Sequence, residues 1–203
     1  MIRKIHLIVE GHGDKEAIPV LARRLLDDHE MHDVSVTSPQ MSGDLGKSIK
    51  RFNDFIRYAL KNQCPILWVL DCDDKQNGQR GCPVNHAKQF RRMLEELGEI
   101  GQPVEFAFFV HEFESLFLAE QQALKAYYET LRDRPFPAGI SEKRDAKGEI
   151  SRMLPKGRAY KETIDQAKIA ARLDLEICRR HSRDFRHFES ALKRLYDLSG
   201  KAL

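Results

Sequence analysis

The stretch Lys4-Ile5-His6-Leu7-Ile8-Val9-Glu10-Gly11-His12-Gly13-Asp14 constrains this chain more than any other. Four apolar residues (Ile5, Leu7, Ile8, Val9) run into an acid, then a Gly-x-Gly turn, then a residue suited to a helix start. A short apolar run bounded by turn signals suits a strand covered on both faces. The pattern returns at Pro65-Ile66-Leu67-Trp68-Val69-Leu70-Asp71-Cys72-Asp73-Asp74. Each run places carboxylates just past its last apolar residue. In an open α/β sheet, ligands bind outside the carboxyl ends of the strands. Asp71 and Asp73 are two apart, so an extended backbone points both side chains the same way. If the two strands are neighbours, Glu10, Asp71 and Asp73 converge. Three crowded carboxylates stay ionised only beside a cation. Ligands made of oxygen alone suit Mg²⁺ or Mn²⁺.

The rest of the chain alternates in the same way up to about residue 119. An amphipathic helix is expected over 14–29, with Asp14 as N-cap and Ile18, Leu21, Leu25 and Leu26 as the apolar face. Arg23 and Arg24 are expected outward, and Pro19 should kink or delay the helix. A short strand follows near 33–38, then a loop over 40–46 and a helix over 47–62 carrying Ile49, Phe52, Ile56 and Leu60. After the strand at 66–70 come a polar loop, a helix over 84–97 and a strand at 104–110. His111-Glu112-Phe113-Glu114 then opens a helix through Ala119. Strands alternating with helices imply a mainly parallel sheet. Beyond residue 120 the chain reads as helical and basic, broken by prolines and glycines, with helices over 162–180 and 184–198. The expected organisation is therefore an α/β domain over 1–119 and a helical C-terminal extension over 120–203 packed on it.

Charge distribution sharpens this division. The net charge is +3 over 203 residues. Residues 152–194 carry twelve Lys/Arg against six Asp/Glu, a local net of +6, which leaves −3 for residues 1–151. An acidic front and a basic back suit a metal site beside a polyanion-binding surface, and equally a solvated helical face. No signal peptide and no apolar run of membrane-spanning length occur, so a cytoplasmic protein without membrane contact is expected. Cys64, Cys72, Cys82 and Cys178 form no C-x-x-C pair. Cys82 and His86 have ligand-like spacing, but no clear fourth zinc ligand accompanies them and Cys72.

Several common α/β chemistries fail on spacing. A dinucleotide fold needs a third glycine where Glu16 stands. No phosphate-binding loop G-x-x-x-x-G-K-[ST] occurs. A phosphatase of the aspartyl-phosphate type carries D-x-D after its first strand, whereas here it follows the third. His111-Glu112 has Ser115 where a zinc protease needs its second His. What remains is Val9-Glu10-Gly11 followed by Leu70-Asp71-Cys72-Asp73, over about residues 3–115. This pair resembles the Toprim domain of topoisomerases, primases, recombination proteins and the overcoming-lysogenisation-defect nucleases. Phe109 to Ala119, Tyr160-Lys161, Asp165-Gln166 and Asp184-Phe185-Arg186-His187-Phe188 resemble the bacterial family catalogued as domain of unknown function 4276, over nearly the whole chain.

The resemblance implies a Toprim-like, Rossmann-like fold and an Mg²⁺- or Mn²⁺-dependent phosphodiesterase or nuclease acting on DNA or RNA. It also implies a phage-defence or DNA-repair setting and an AAA-type ATPase partner. Asp71 and Asp73 would be metal ligands, and Glu10 a ligand or general base. Glu112 and Glu114 lie at the same edge, either as second-metal ligands or as ordinary helix-start acids. Lys15 and His12 sit beside the acid, within reach of phosphate. Lys156, Arg158 and Lys161, around Tyr160, form the candidate phosphate-contact strip. Arg179-Arg180-His181 is its rival, or simply a cationic helix C-terminus. No topoisomerase Tyr domain or primase zinc region fits in this length. The alternative class is a non-catalytic nucleic-acid-binding adaptor for the ATPase.

Overall fold

The computed structural model describes residues 3–72 and 82–199. Five parallel strands form the sheet: β1 (Arg3–Val9), β2 (Val34–Val36), β3 (Gln40–Met41), β4 (Ile66–Cys72) and β5 (Val104–Val110). Their order is β2-β1-β4-β5, with β3 also beside β1. β1 is therefore central, which explains why Leu7, Ile8 and Val9 show no exposed surface. It pairs with β4 in the register His6↔Ile66, Leu7↔Leu67 and Ile8↔Trp68, so the two apolar runs are indeed neighbours.

Side-chain alternation sorts the strands onto two layers. Ile5, Leu7, Val9, Leu67, Val69, Ala107 and Phe109 face α1 (His12–Asp28) and the helices after β5. Ile8, Ile66, Trp68, Leu70 and Phe108 face the opposite layer of α2 (Leu45–Lys50), α3 (Phe52–Ala59) and α4 (Pro83–Glu96). Trp68 anchors that layer. Its ring stacks on Phe52 with centroids 5.3 Å apart, meets Phe90 edge-on, and its indole N–H donates to Ser42 Oγ at 3.2 Å. Asp71 shares the parity of Leu67 and Val69, which turns its carboxyl toward the first layer.

The chain after β5 continues through α5 (Ser115–Ala119), α6 (Gln121–Tyr127), α7 (Ala146–Met153), α8 (Glu162–Ala170), α9 (Leu175–His181) and α10 (Arg183–Ser199). These helices share one continuous apolar core with α1 and the sheet, including Phe113, Phe117, Ile169, Phe185 and Phe188.

Several local expectations are corrected. Asp14 is not the N-cap of α1; Gly11 is, and Asp14 sits at the third helical position with its side chain accepting from the Gly11 N–H. Pro19 lies inside α1 without ending it, buried against the core. Arg24 points inward and donates to the carbonyls of Ala170 and Leu173 at 2.8 and 2.6 Å, where the last turn of α8 leaves acceptors open. Gln40–Met41 is not loop but pairs with β1. The helix expected over 47–62 divides at Arg51 (ψ 26°) and finishes in a 3₁₀ turn at Leu60–Asn62. The helix expected over 162–180 divides where Asp174 caps α9 by accepting from Ile177 N. No helix among the described residues is long and apolar enough to cross a membrane.

Candidate active site

The carboxyl ends of β1, β4 and β5 meet at one edge, and each contributes an acid. Glu10 follows β1 directly, and its Oε2 accepts from the Asp71 backbone N–H at 3.2 Å. Asp71 Oδ1 accepts from Phe113 N at 2.9 Å. That contact depends on a sharp turn after β5, where His111 adopts φ +70°, a left-handed conformation that non-glycine residues rarely hold. The turn brings Glu114 back into the cluster, completely buried. Asp14 joins from the first turn of α1. Its Oδ2 accepts from Gly11 N at 3.1 Å and its Oδ1 from Gln166 Nε2 at 3.0 Å.

The α7–α8 region closes this group from above. Tyr160 OH donates to Glu114 Oε1 at 2.8 Å, and Gln166 Nε2 reaches the same oxygen at 3.2 Å. Glu114 Oε2 is buried without a hydrogen bond among the described residues. Lys147 Nζ lies 4.0 Å from that oxygen, 4.0 Å from Glu112 Oε1 and 2.9 Å from Glu162 Oε2. Glu112 also accepts from Lys147 N at 3.1 Å. Lys147 is the one Lys or Arg among the described residues that forms an ion pair with these edge acids.

The electrostatics follow from burial and crowding. Burial, with Asp14 beside it, raises Glu10 from an ordinary 4.5 to about 7. Burial lifts Glu114 to about 8, against the opposing pull of Lys147. Asp71 is held well above the carboxylate range by burial and then by Asp14, Glu10 and Glu114. Burial also raises Asp14 and Glu112. Lys147 responds in the opposite sense: burial alone would lower it, but Glu114, Glu162 and Asp71 hold its ammonium charged far above neutrality. Five carboxyls, of Glu10, Asp14, Asp71, Glu112 and Glu114, thus stand around one ammonium, and burial and mutual repulsion push them toward the protonated form.

Of the residues expected at the site, Glu10 and Asp71 are brought into direct contact, and Glu114 lies with them. Asp73 lies outside the described residues. Lys15 is half-buried in the first turn of α1, near the edge, and His12 is exposed. Lys156, Arg158 and Lys161 are exposed in the segment between α7 and α8. The Arg158 guanidinium stands 4.9 Å from the Tyr128 ring centroid, and Lys161 N donates to Asp165 Oδ2 at 2.8 Å. Two members of the cluster carry no local signal of their role. Asp14 reads as a cap, and Lys147 is one lysine in a charged segment far from both motifs.

Among the described residues, one trio of possible ligand atoms gathers within 4.8 Å, and it lies elsewhere: Asp28, His29 and Glu189. The Arg179 guanidinium already bridges Asp28 and Glu189, so a cation is supplied there by the chain itself.

Fold and site together define a parallel α/β protein with a buried carboxylate cluster at the carboxyl edge of its sheet. The chain belongs to the family described as Domain of unknown function (DUF4276), whose model matches residues 9–193. Residues that the sequence singled out on that resemblance bond the cluster or the elements around it. Tyr160 and Gln166 bond Glu114, Asp165 accepts from both Tyr127 and Tyr128 hydroxyls at 2.7 Å, and Asp184 accepts from Val110 N at 2.7 Å. Among solved structures, the chain is similar to the C-terminal region of the Burkholderia pseudomallei OLD protein, with 18% identity, TM-score 0.44 and 98% of each chain covered. It is also similar to the C-terminal region of the Xanthomonas campestris pv. campestris OLD protein, with 15% identity, TM-score 0.43, and 96% of this chain and 95% of that one covered. No curated protein matches the chain.

Proposed function

We propose that this chain is a Toprim-like, metal-dependent phosphodiesterase acting on DNA or RNA. The observation that carries the reading is the crowded acid cluster of Glu10, Asp14, Asp71 and Glu114, in excess over the single ammonium of Lys147, at the edge where parallel sheets bind ligands. The donors suit a hard divalent cation: all are oxygen, and Glu10 and Asp71 each commit a single oxygen to a backbone amide. Glu10 and Asp71, together with Asp73, would hold Mg²⁺ or Mn²⁺. Water and phosphate oxygens would complete the shell. The ion would supply Lewis-acid stabilisation of the phosphoryl group and a lowered pKa for attacking water.

The chain's own groups have separate tasks. Glu10 is either a ligand to the ion or, left free of it, the general base that takes the proton of the attacking water. Gln166 and Tyr160 fix the carboxyls of Asp14 and Glu114 by hydrogen bonds. Lys147, permanently charged beside the acids, is suited to a phosphate oxygen once substrate arrives. The basic stretch 152–194 supplies sequence-independent attraction to a polyanion.

One observation favours the second reading, an adaptor for an AAA-type ATPase. Lys147 already stands among the acids and lowers their need for an external cation. Plasmid nicking and single-strand RNA cleavage, with Mg²⁺ or Mn²⁺ and with or without such an ATPase, decide between the two. Under the enzyme reading, Glu10→Gln abolishes cleavage and leaves nucleic-acid affinity nearly intact, because the carboxylate acts in the transition state. Binding without cleavage in every condition, identical in wild type and Glu10→Gln, establishes the adaptor.

A further inference from the structure

We propose that the open cleft beside α3 binds single-stranded nucleic acid next to the strand end that carries Glu10. The proposal rests on the phosphodiesterase reading and names its substrate class. The cleft encloses about 450 Å³ and is lined by Met41, Arg51, Phe55, Arg57, Tyr58 and Lys61, among others. Tyr58 is 58% exposed and Met41 38%, two large apolar side chains that line the same cleft. Cations interleave with the rings: the Arg51 guanidinium lies 5.5 Å from the Phe55 centroid, and Lys61 Nζ 5.3 Å from that of Tyr58.

The charge here runs against its surroundings. Residues 45–62 carry five Lys/Arg (Lys47, Lys50, Arg51, Arg57, Lys61) and a single acid, Asp54, inside the half of the chain that is net negative. Asp54 also lines the cleft and pairs with Arg51 at 3.0 Å. Arg57 and Lys61 have no ion pair among the described residues. A solvated helix face accounts for the cations but not for an exposed tyrosine and methionine between them. The Phe55 ring is buried and the Tyr58 ring open, and an open ring among cations is what an unpaired strand requires, a base on the ring and phosphates on the charges.

Position supplies the link to the chemistry. Met41, at the rim of the cleft, pairs with Val9 in the sheet register. Two residues on, Gly43 N donates to the Glu10 carbonyl at 3.0 Å. The cleft therefore adjoins the carboxyl end of β1, from which Glu10 follows. A duplex keeps its base faces stacked and cannot use the Tyr58 ring. An acidic protein segment could use the cations but has no need of the ring.

Anisotropy with fluorescein-labelled oligo(dT), oligo(U) and a DNA duplex, all in EDTA, tests the cleft without requiring turnover. Tyr58→Ala is expected to weaken single-strand binding about tenfold, and Tyr58→Phe to stay within about twofold of wild type. Duplex binding should be weaker and indifferent to Tyr58. The pair Arg57→Ala/Lys61→Ala should flatten the log–log salt slope by about 1.4, the value for two phosphates on a single strand. Tyr58 is exposed, so a melting scan should show all variants folded. Unchanged oligonucleotide binding in Tyr58→Ala overturns the proposal. So does equal displacement of the oligonucleotide by polyglutamate from wild type and Tyr58→Ala. Cleavage by wild type with Tyr58-independent binding removes the cleft and keeps the phosphodiesterase. Tyr58-dependent binding with no cleavage keeps the cleft and removes the phosphodiesterase.

Discussion

At the scale of single residues, the acids at the sheet edge behave as one group because each raises the others. A metal held by Glu10 and Asp71 must displace the proton that burial keeps on Glu10, at about 7, so divalent-ion affinity should climb as pH rises through neutrality. Calorimetric titration with Mn²⁺ at several pH values reads this directly, and Asp71→Asn/Asp73→Asn should abolish the heat; equal binding by the double variant disproves the site. Stability moves the other way. A carboxyl with a raised folded pKa binds its proton more tightly in the native state than in the unfolded one. The contribution of Glu114 is thus fully present below about 4.5 and lost as pH rises through about 8. In EDTA, the melting temperature of wild type should fall across that range. Glu114→Gln should flatten the fall, since a carboxamide can still accept from Tyr160 without ionising. A variant that melts in parallel with wild type at every pH shows that Glu114 is not the group responsible.

At the scale of elements, the decisive contact is α1 against α8. Gly13 lies where a Cβ would overlap Gln166 Oε1 and stand 3.0 Å from Glu162 Cβ. Gly13→Ala is therefore expected to destabilise by about 1–3 kcal/mol, as overpacking does, and to push Gln166 off Asp14. Urea denaturation measures the first effect, and a shifted pH dependence of metal binding the second. The segment joining α7 to α8 carries the other prediction at this scale. Neutralising Lys156, Arg158 and Lys161 together should reduce the salt slope of nucleic-acid binding by about three phosphate contacts. An unchanged slope would mean that this strip faces something other than a polyanion. Arg158→Ala alone should also lose its packing over Tyr128, which a melting scan would register as a small drop.

At the scale of the whole molecule, the sheet and the C-terminal helices form one core. Phe109 of β5 meets Phe113 edge-on at 4.9 Å and Phe188 of α10 at 6.0 Å. α8 lays Ile169 and Ala170 into the apolar cluster that also holds the buried face of α1. A fragment of residues 1–119 would expose that face and lose Lys147, Tyr160 and Gln166 from the acid cluster. It is expected to lack a cooperative thermal transition, which circular dichroism can check; a sharp transition would show that the α/β part folds alone.

The alternation of short apolar runs with amphipathic helices determined the parallel sheet, because a strand buried on both faces requires continuous hydrophobicity and a helical crossover. The same runs placed Glu10 and Asp71 at strand ends, and β1–β4 pairing makes them neighbours. Element edges were less legible. Asp14 reads as an N-cap from its type, yet Gly11 takes that place and frees Asp14 to face the acids. Arg24 reads as solvent-exposed from helical period, yet the open carbonyls of α8 draw it inward. Only the tertiary structure joined Gln166 to Asp14, 152 positions away, and Lys147 and Tyr160 to Glu114, and only it set the cationic, tyrosine-bearing cleft of α3 against β3, which pairs with the end of β1. Local sequence encodes which face of an element is apolar. It does not encode which distant polar groups will meet once those faces are buried, and the charge of this site is decided by that meeting.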